Sequence, residues 1–264
     1  MNESTPSMAS RIGCFLYGAV VYVVFLATFS YMIGFVGNLV VPKSIDTGEA
    51  GPTGLAIVVN ALLLSLFAIQ HTIMARPGFK AWWTKIVPAA IERSTFVLVT
   101  CIVLILMVWQ WRAMPEIVWS VESTMGRYLL FGMFASGWAL VLYATFCIAH
   151  FDLFGLRQVV LHLQGKNYTH PGFAMPWLYK MVRNPLMLGF LLAFWSTPVM
   201  TQGHLLFSIL VTGYVFVGIQ FEERDLLKAL GEQYRLYRAR TPMIFPFPKR
   251  SAPVPAAVSV DADG

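Results

Sequence analysis

Six apolar runs divide the chain, at about 12–37, 54–75, 94–111, 128–149, 186–200 and 204–221. The first four are long enough to cross roughly 30 Å of hydrocarbon as helices. The last two are shorter and nearly touch. The stretch between them, Ser196 to His204, reads as a tight turn, so the pair predicts a helical hairpin. The pattern therefore predicts an all-α, polytopic membrane protein with about six transmembrane helices. The first run is too long for a cleaved signal peptide and lacks a small-residue cleavage site, so it reads as the first crossing. Residues 1–250 read as a single integral membrane domain. Residues 251–264 have the composition of a disordered tail.

Composition points the same way. The chain is 57% hydrophobic and 12% charged, about half the charged share of a soluble domain. The 19 Lys and Arg residues also have a side. With six crossings and the N-terminus in the cytoplasm, 16 of them fall on cytoplasmic segments and 3 on the outer ones. That asymmetry is the positive-inside signature, and it places both termini in the cytoplasm of a bacterial inner membrane. The net charge of +6 then faces anionic lipid headgroups, and no nucleic-acid motif is present. The cysteines Cys14, Cys101 and Cys147 all lie in apolar runs, where they read as small packing residues. No metal-ligand set is visible.

Polar residues in or beside membrane helices are functional candidates by default. Here they gather at the predicted cytoplasmic side. Gln70 and His71 close the second run, where a histidine can simply cap a helix end. His150, Asp152, Arg157, Gln158 and His162 follow the fourth run. "YKMVRNPLMLGF", from Tyr179 to Phe190, opens the fifth, with Asn184-Pro185 suited to start a helix. Glu222 and Glu223 end the sixth. Beyond them Tyr234, Tyr237, Arg238 and Arg240 predict an interfacial helix lying on headgroups. Dinucleotide, Walker, HExxH and G-x-S-x-G signatures are absent.

"LYKMVRNPLMLGF", followed by the hairpin and by "EERDLLKALGEQYRLYRARTPMIFPF", resembles the isoprenylcysteine carboxyl methyltransferase-like family, over roughly residues 140–250. Arg183, Pro185 and Gly189 match its R-H-P-x-Y-x-G stretch. Asn184 replaces the histidine, and Leu188 or Met187 replaces the tyrosine. Glu222, Glu223, Gly231, Tyr234, Tyr237 and Pro242 fit its second half. The stretches "QHTIMARPGFK", "ERSTFVL" and "HFDLFGLRQV" extend the likeness, over nearly the whole chain, to the bacterial methanethiol S-methyltransferases. The resemblance implies methyl transfer from S-adenosylmethionine to methanethiol, a small volatile thiol, giving dimethyl sulfide. It implies a cofactor pocket at the cytoplasmic face formed by Gln158, Tyr179, Arg183, Asn184, Pro185, Leu188, Gly189, Glu222 and Glu223. Asparagine cannot ionise as the family's histidine can, so Asn184 is expected to orient the cofactor.

A thiol must lose its proton to become a good nucleophile. His150 or His71 is the expected base, with Asp152 orienting the imidazole and Arg157 stabilising the thiolate. Three other readings stay open: a related methyltransferase acting on a prenylcysteine or other lipid-like group, a non-catalytic NnrU-like membrane protein that handles haem, and a small-molecule transporter.

Overall fold

The computed structural model describes residues 6–48, 50–169 and 176–247. The predicted tail at 251–264 lies outside them. The described residues form eleven helices and two short strands. Five helices are long and apolar enough to cross a membrane: α1 (Met8–Gly37), α2 (Thr53–Ala75), α4 (Ala89–Gln110), α5 (Thr124–Ile148) and α10 (Gln202–Leu230). The protein is an integral membrane protein on that basis. Short helices lie between or after them: α3 (Pro77–Trp83), α6 (His150–Leu153), α7 (Leu156–Leu163), α8 (Trp177–Met181), α9 (Pro185–Trp195) and α11 (Glu232–Arg240).

The first four long helices alternate direction and α10 runs parallel to α5, so the bundle has two ends. At the far end the loops are tied together. Asn38 donates to Asp46 (2.7 Å), Thr201 donates to the same carboxylate, and Gln202 donates to Glu116 (2.7 Å). Strand β1 (Ile117–Ser120) pairs antiparallel with β2 (Val199–Thr201). That pairing carries the turn after α9 to the same end as the loop after α4. The chain therefore passes from end to end a sixth time, but not as a full helix. α9 has 11 residues, about 16 Å of helix, and residues 196–201 complete the passage in irregular and extended form. The predicted tight hairpin turn is instead this half-length helix leading into a strand.

Irregular backbone inside a bundle needs its polar groups satisfied by neighbours. The buried His204 and Ser208 of α10 both donate to the Phe194 carbonyl at the end of α9, each at 2.8 Å. Asn60 of α2 is fully buried and holds the backbone of Arg112, donating to its carbonyl (2.8 Å) and accepting from its N–H (2.9 Å). An aromatic core built on Phe35, Trp111, Phe134, Trp138, Phe194 and Phe207 fills the space between these two points. α5 and α9 pack nearly backbone to backbone. A Cβ on Gly137 would lie 2.6 Å from the Ala193 nitrogen, and one on Gly189 would lie 2.8 Å from the Gly137 carbonyl oxygen. Small residues at such a crossing let membrane helices approach closely.

Candidate active site

At the opposite end α3, the first turn of α4, the end of α5 and the last turns of α10 surround a cavity of about 830 Å³. Three walls can be distinguished. The α3–α4 wall carries Lys80, Glu92 and Arg93. The α5–α7 wall carries Cys147, Ala149, Asp152, Gln158 and His162. The third wall, from α8 to α11, carries Tyr179, Arg183, Asn184, Glu222, Tyr234 and Tyr237.

The third wall is held by a buried ion pair. Arg183 donates through Nε to Glu223 Oε1 (2.7 Å), and its Nη2 lies 2.6 Å from the same oxygen, with both side chains almost wholly buried. Its Nη1 donates to the carbonyls of Arg238 (3.1 Å) and Thr241 (2.6 Å). Arg238 Nε stands 3.2 Å from the other Glu223 oxygen. The backbone N–H groups of Arg183 and Asn184 donate to Pro242 and Met243 (2.9 and 3.0 Å), and Asn184 Nδ2 donates again to Met243 (3.1 Å). Every nitrogen of Arg183 is thus engaged within the protein. A charge pair taken out of water is kept only when its remaining polar groups are met; those of Arg183 are, and the second Glu223 oxygen has the Arg238 cation beside it.

Glu222 differs from its neighbour. Its carboxylate lines the cavity, and no described residue hydrogen-bonds or pairs with it. Tyr234 and Tyr237, expected to face headgroups, turn inward instead. Tyr234 is buried, and Tyr237 donates to the Tyr179 carbonyl (2.6 Å). Burial raises both phenols to about 12, so they stay neutral.

On the α5–α7 wall the Asp152 carboxylate accepts from Arg157 Nη1 (3.0 Å) and from the Tyr168 hydroxyl (3.0 Å). Burial, reinforced by that acceptor, pushes the Tyr168 phenol up to about 12. Arg157 also donates to the Thr169 carbonyl (2.7 Å) and hydroxyl (3.2 Å), and it does not line the cavity. Gln158 donates to the Asp152 carbonyl (3.0 Å), while its own Oε1 is buried without a partner among the described residues.

The two candidate bases have different surroundings. His150 is buried and stacks on Phe146, with ring centroids 4.2 Å apart. The Thr145 hydroxyl gives its one proton to the Leu142 carbonyl (2.6 Å), so its oxygen accepts from His150 Nδ1 (2.8 Å). His150 Nε2 then accepts from the Tyr22 hydroxyl (2.8 Å). Thr145 and Tyr22 orient the imidazole, where Asp152 was expected to do so. Burial lowers the His150 pKa, which keeps the ring neutral. His71 stacks on Phe67 (5.4 Å) and lies 5.0 Å from the Phe96 ring. No described residue hydrogen-bonds its ring, and Nδ1 is buried. Arg93 stands over the same Phe96 ring, with Cζ 4.8 Å from the centroid.

Of the residues expected from the sequence, Gln158, Tyr179, Arg183, Asn184, Glu222 and Asp152 border the cavity. Pro185, Leu188, Gly189 and Glu223 stand behind it, and Gly189 packs on Gly137 and Val141 of α5. Glu92, Arg93 and Lys80 border the cavity without having been singled out in the sequence as site residues.

Against known proteins the chain is 57% identical over 235 residues to the methanethiol S-methyltransferase of Mycobacterium tuberculosis, covering 89% of this chain and 96% of that one. It is 51% identical to methanethiol S-methyltransferase 1 of Bradyrhizobium diazoefficiens, over 93% of this chain and 86% of the relative. The corresponding enzyme of Crocosphaera subtropica is 45% identical, over 91% and 94%. The chain belongs to the methanethiol S-methyltransferase family. No family profile and no solved structure matches it. The match to the family runs across all three walls of the cavity, because these relatives cover about nine tenths of the chain.

Proposed function

We propose that this protein transfers a methyl group from S-adenosylmethionine to methanethiol, giving dimethyl sulfide. The likeness to enzymes named for that acceptor supports the reaction. The observation that carries the site is Glu222, a carboxylate with no described protein partner, on the wall of a cavity large enough for a nucleoside-sized donor. The donor set suits such a molecule. Glu222 accepts from an ammonium or from ribose hydroxyls, the orphaned Gln158 Oε1 takes a further donor, and Tyr179 and Tyr234 offer aromatic faces.

When bound, S-adenosylmethionine supplies a methyl group on a sulfonium whose carbon–sulfur bond breaks as the new one forms. The rest is done by the chain. The Arg183–Glu223 pair fixes α8, α10 and the segment after α11 as one rigid wall. Asn184, bonded to Met243, orients the donor and does not titrate. His71 does not itself line the cavity, but it packs on the Phe96 ring under Arg93, which does. Its ring is not engaged elsewhere, whereas both His150 nitrogens are; His71 therefore accepts the thiol proton on an imidazole nitrogen. His150, Asp152 and Arg157 hold the α5–α7 wall in place. Pro185, Leu188 and Gly189 back the donor site through their packing. The cavity end faces the cytoplasm of the bacterial inner membrane, a reading supported by the 16 to 3 division of Lys and Arg.

Headspace gas chromatography of the purified protein with both substrates tests the reaction. Dimethyl sulfide from the wild type, and much less from Glu222→Gln, is the expected result. Donor binding without dimethyl sulfide would reject methanethiol as the acceptor. No donor binding would reject the methyltransferase reading altogether.

A further inference from the structure

Four cations line the cavity, Lys80, Arg93, Lys166 and Arg183, and of these Lys166 is exposed with no described contact that fixes its ammonium. Arg183 is spent on Glu223 and on carbonyls, Arg157 on Asp152 and Thr169, and Lys80 lies 3.7 Å from Glu92. Arg93, in the first turn of α4, differs. Its Nε donates to the Leu153 carbonyl (2.7 Å), and its guanidinium lies over Phe96, so the group is fixed in position. Its Nη groups hydrogen-bond to no described residue, and no described carboxylate lies within ion-pair distance of it. The acidic groups nearest to it are Glu92 on its own helix and Asp152 on α6. Glu92 is shared with Lys80, and both Asp152 oxygens are taken by Arg157 and Tyr168. A positioned guanidinium on a cavity wall, with open N–H donors and no ion-paired carboxylate, is suited to an anion. Its place on a different wall from Glu222, over the Phe96 ring that it shares with His71, marks the acceptor's side of the cavity.

We infer that Arg93 is a catalytic residue that stabilises the acceptor thiolate. The inference rests on the methyltransferase reading. The thiol S–H bond breaks, and the proton goes to His71. The sulfur keeps the electron pair, which forms the new bond to the methyl carbon, and the pair of the broken carbon–sulfur bond returns to the donor sulfur. Arg93 holds the negative charge on the attacking sulfur between those two events. It thereby lowers the cost of deprotonating a weakly acidic thiol.

The test compares acceptors of similar shape and different acidity. Initial rates are measured on the full-length protein in detergent with saturating S-adenosylmethionine, using methanethiol, ethanethiol and the far more acidic 2,2,2-trifluoroethanethiol. Losing a charge-assisted contact gives an expected slowing of about 100-fold for Arg93→Gln on the two ordinary thiols. The fluorinated thiol, which ionises unaided, should slow by no more than about 10-fold. Affinity for S-adenosylhomocysteine should stay within about twofold, since that wall is untouched. Arg93→Lys keeps the charge and should stay within about tenfold of wild type on methanethiol. Equal losses on ethanethiol and trifluoroethanethiol in Arg93→Gln overturn the inference. A fall in S-adenosylhomocysteine affinity also overturns it, because it would put the guanidinium on the donor. If Arg93→Gln does not fold, Arg93→Lys decides, and a methanethiol loss above about tenfold overturns the inference. A wild type that methylates none of the thiols removes the methyltransferase reading and this inference with it. A wild type that methylates them, with variants that behave like it, removes the inference alone.

Discussion

Successive residues on a helix point about 100° apart, and at Glu222 and Glu223 that rotation separates two roles. Glu223 turns into the protein to meet Arg183, and Glu222 turns to the cavity. Glu223→Gln should leave the Arg183 charge poorly matched and cost about 3–5 kcal/mol, read as a large fall in thermal unfolding temperature in detergent. Glu222→Gln should leave that temperature nearly unchanged while weakening S-adenosylhomocysteine binding about 10-fold or more, read by titration calorimetry. The two histidines separate in the same way. His71→Ala should abolish most turnover with little loss of stability. His150→Ala should lose stability first, because it breaks two buried hydrogen bonds. His150 also sets a pH dependence. Its folded pKa lies below the ordinary 6.5, so the stability it contributes is fully present above that value and is lost as pH falls below it. Wild-type unfolding temperature should therefore drop more steeply on acidification than that of His150→Gln. The family resemblance put Arg183, Glu222 and Glu223 around one pocket but not which of them meets which. Arg93 was invisible as a site residue, because a basic residue at the start of a membrane helix is ordinary topology until the bundle closes around it.

Among the elements, α5 and α9 set the spacing of the cavity. Their crossing at Gly137, Gly189 and Ala193 leaves no room for a side chain. Gly189→Ala would put a methyl group 2.8 Å from a backbone oxygen, and neither backbone can yield without moving its helix. We expect a loss of about 1–3 kcal/mol with weakened donor binding, since Arg183 and Asn184 lie just before α9. Thermal unfolding and titration of the same variant check both. The apolar runs were plain in the sequence because every long crossing must satisfy its own backbone. The run at 186–200 reads as one helix, but its last third is not helical. α9 stops at Trp195, just before Ser196, Thr197 and Pro198, and a residue preceding proline is driven toward extended geometry. β1 and β2 have four and three residues and carry no periodicity of their own, so only their pairing across the bundle defines them.

For the whole molecule, the tied far end and the open cavity end make orientation the property to measure. Single-cysteine labelling with a membrane-impermeant reagent should modify Glu122→Cys in intact cells. Arg235→Cys, in α11, should react only after permeabilisation. The opposite pattern would invert the proposed topology. The segment after α11 also fixes a schedule for biosynthesis. Arg183 depends on the carbonyls of Arg238, Thr241 and Pro242, and Asn184 on that of Met243. A ribosome delivering this chain helix by helix has already inserted α9 and α10 before those residues leave the exit tunnel. Until they arrive, a buried guanidinium waits half-solvated beside Glu223. The nascent protein is therefore complete as a membrane bundle before the residues that tie down the Arg183 wall of the cavity have arrived.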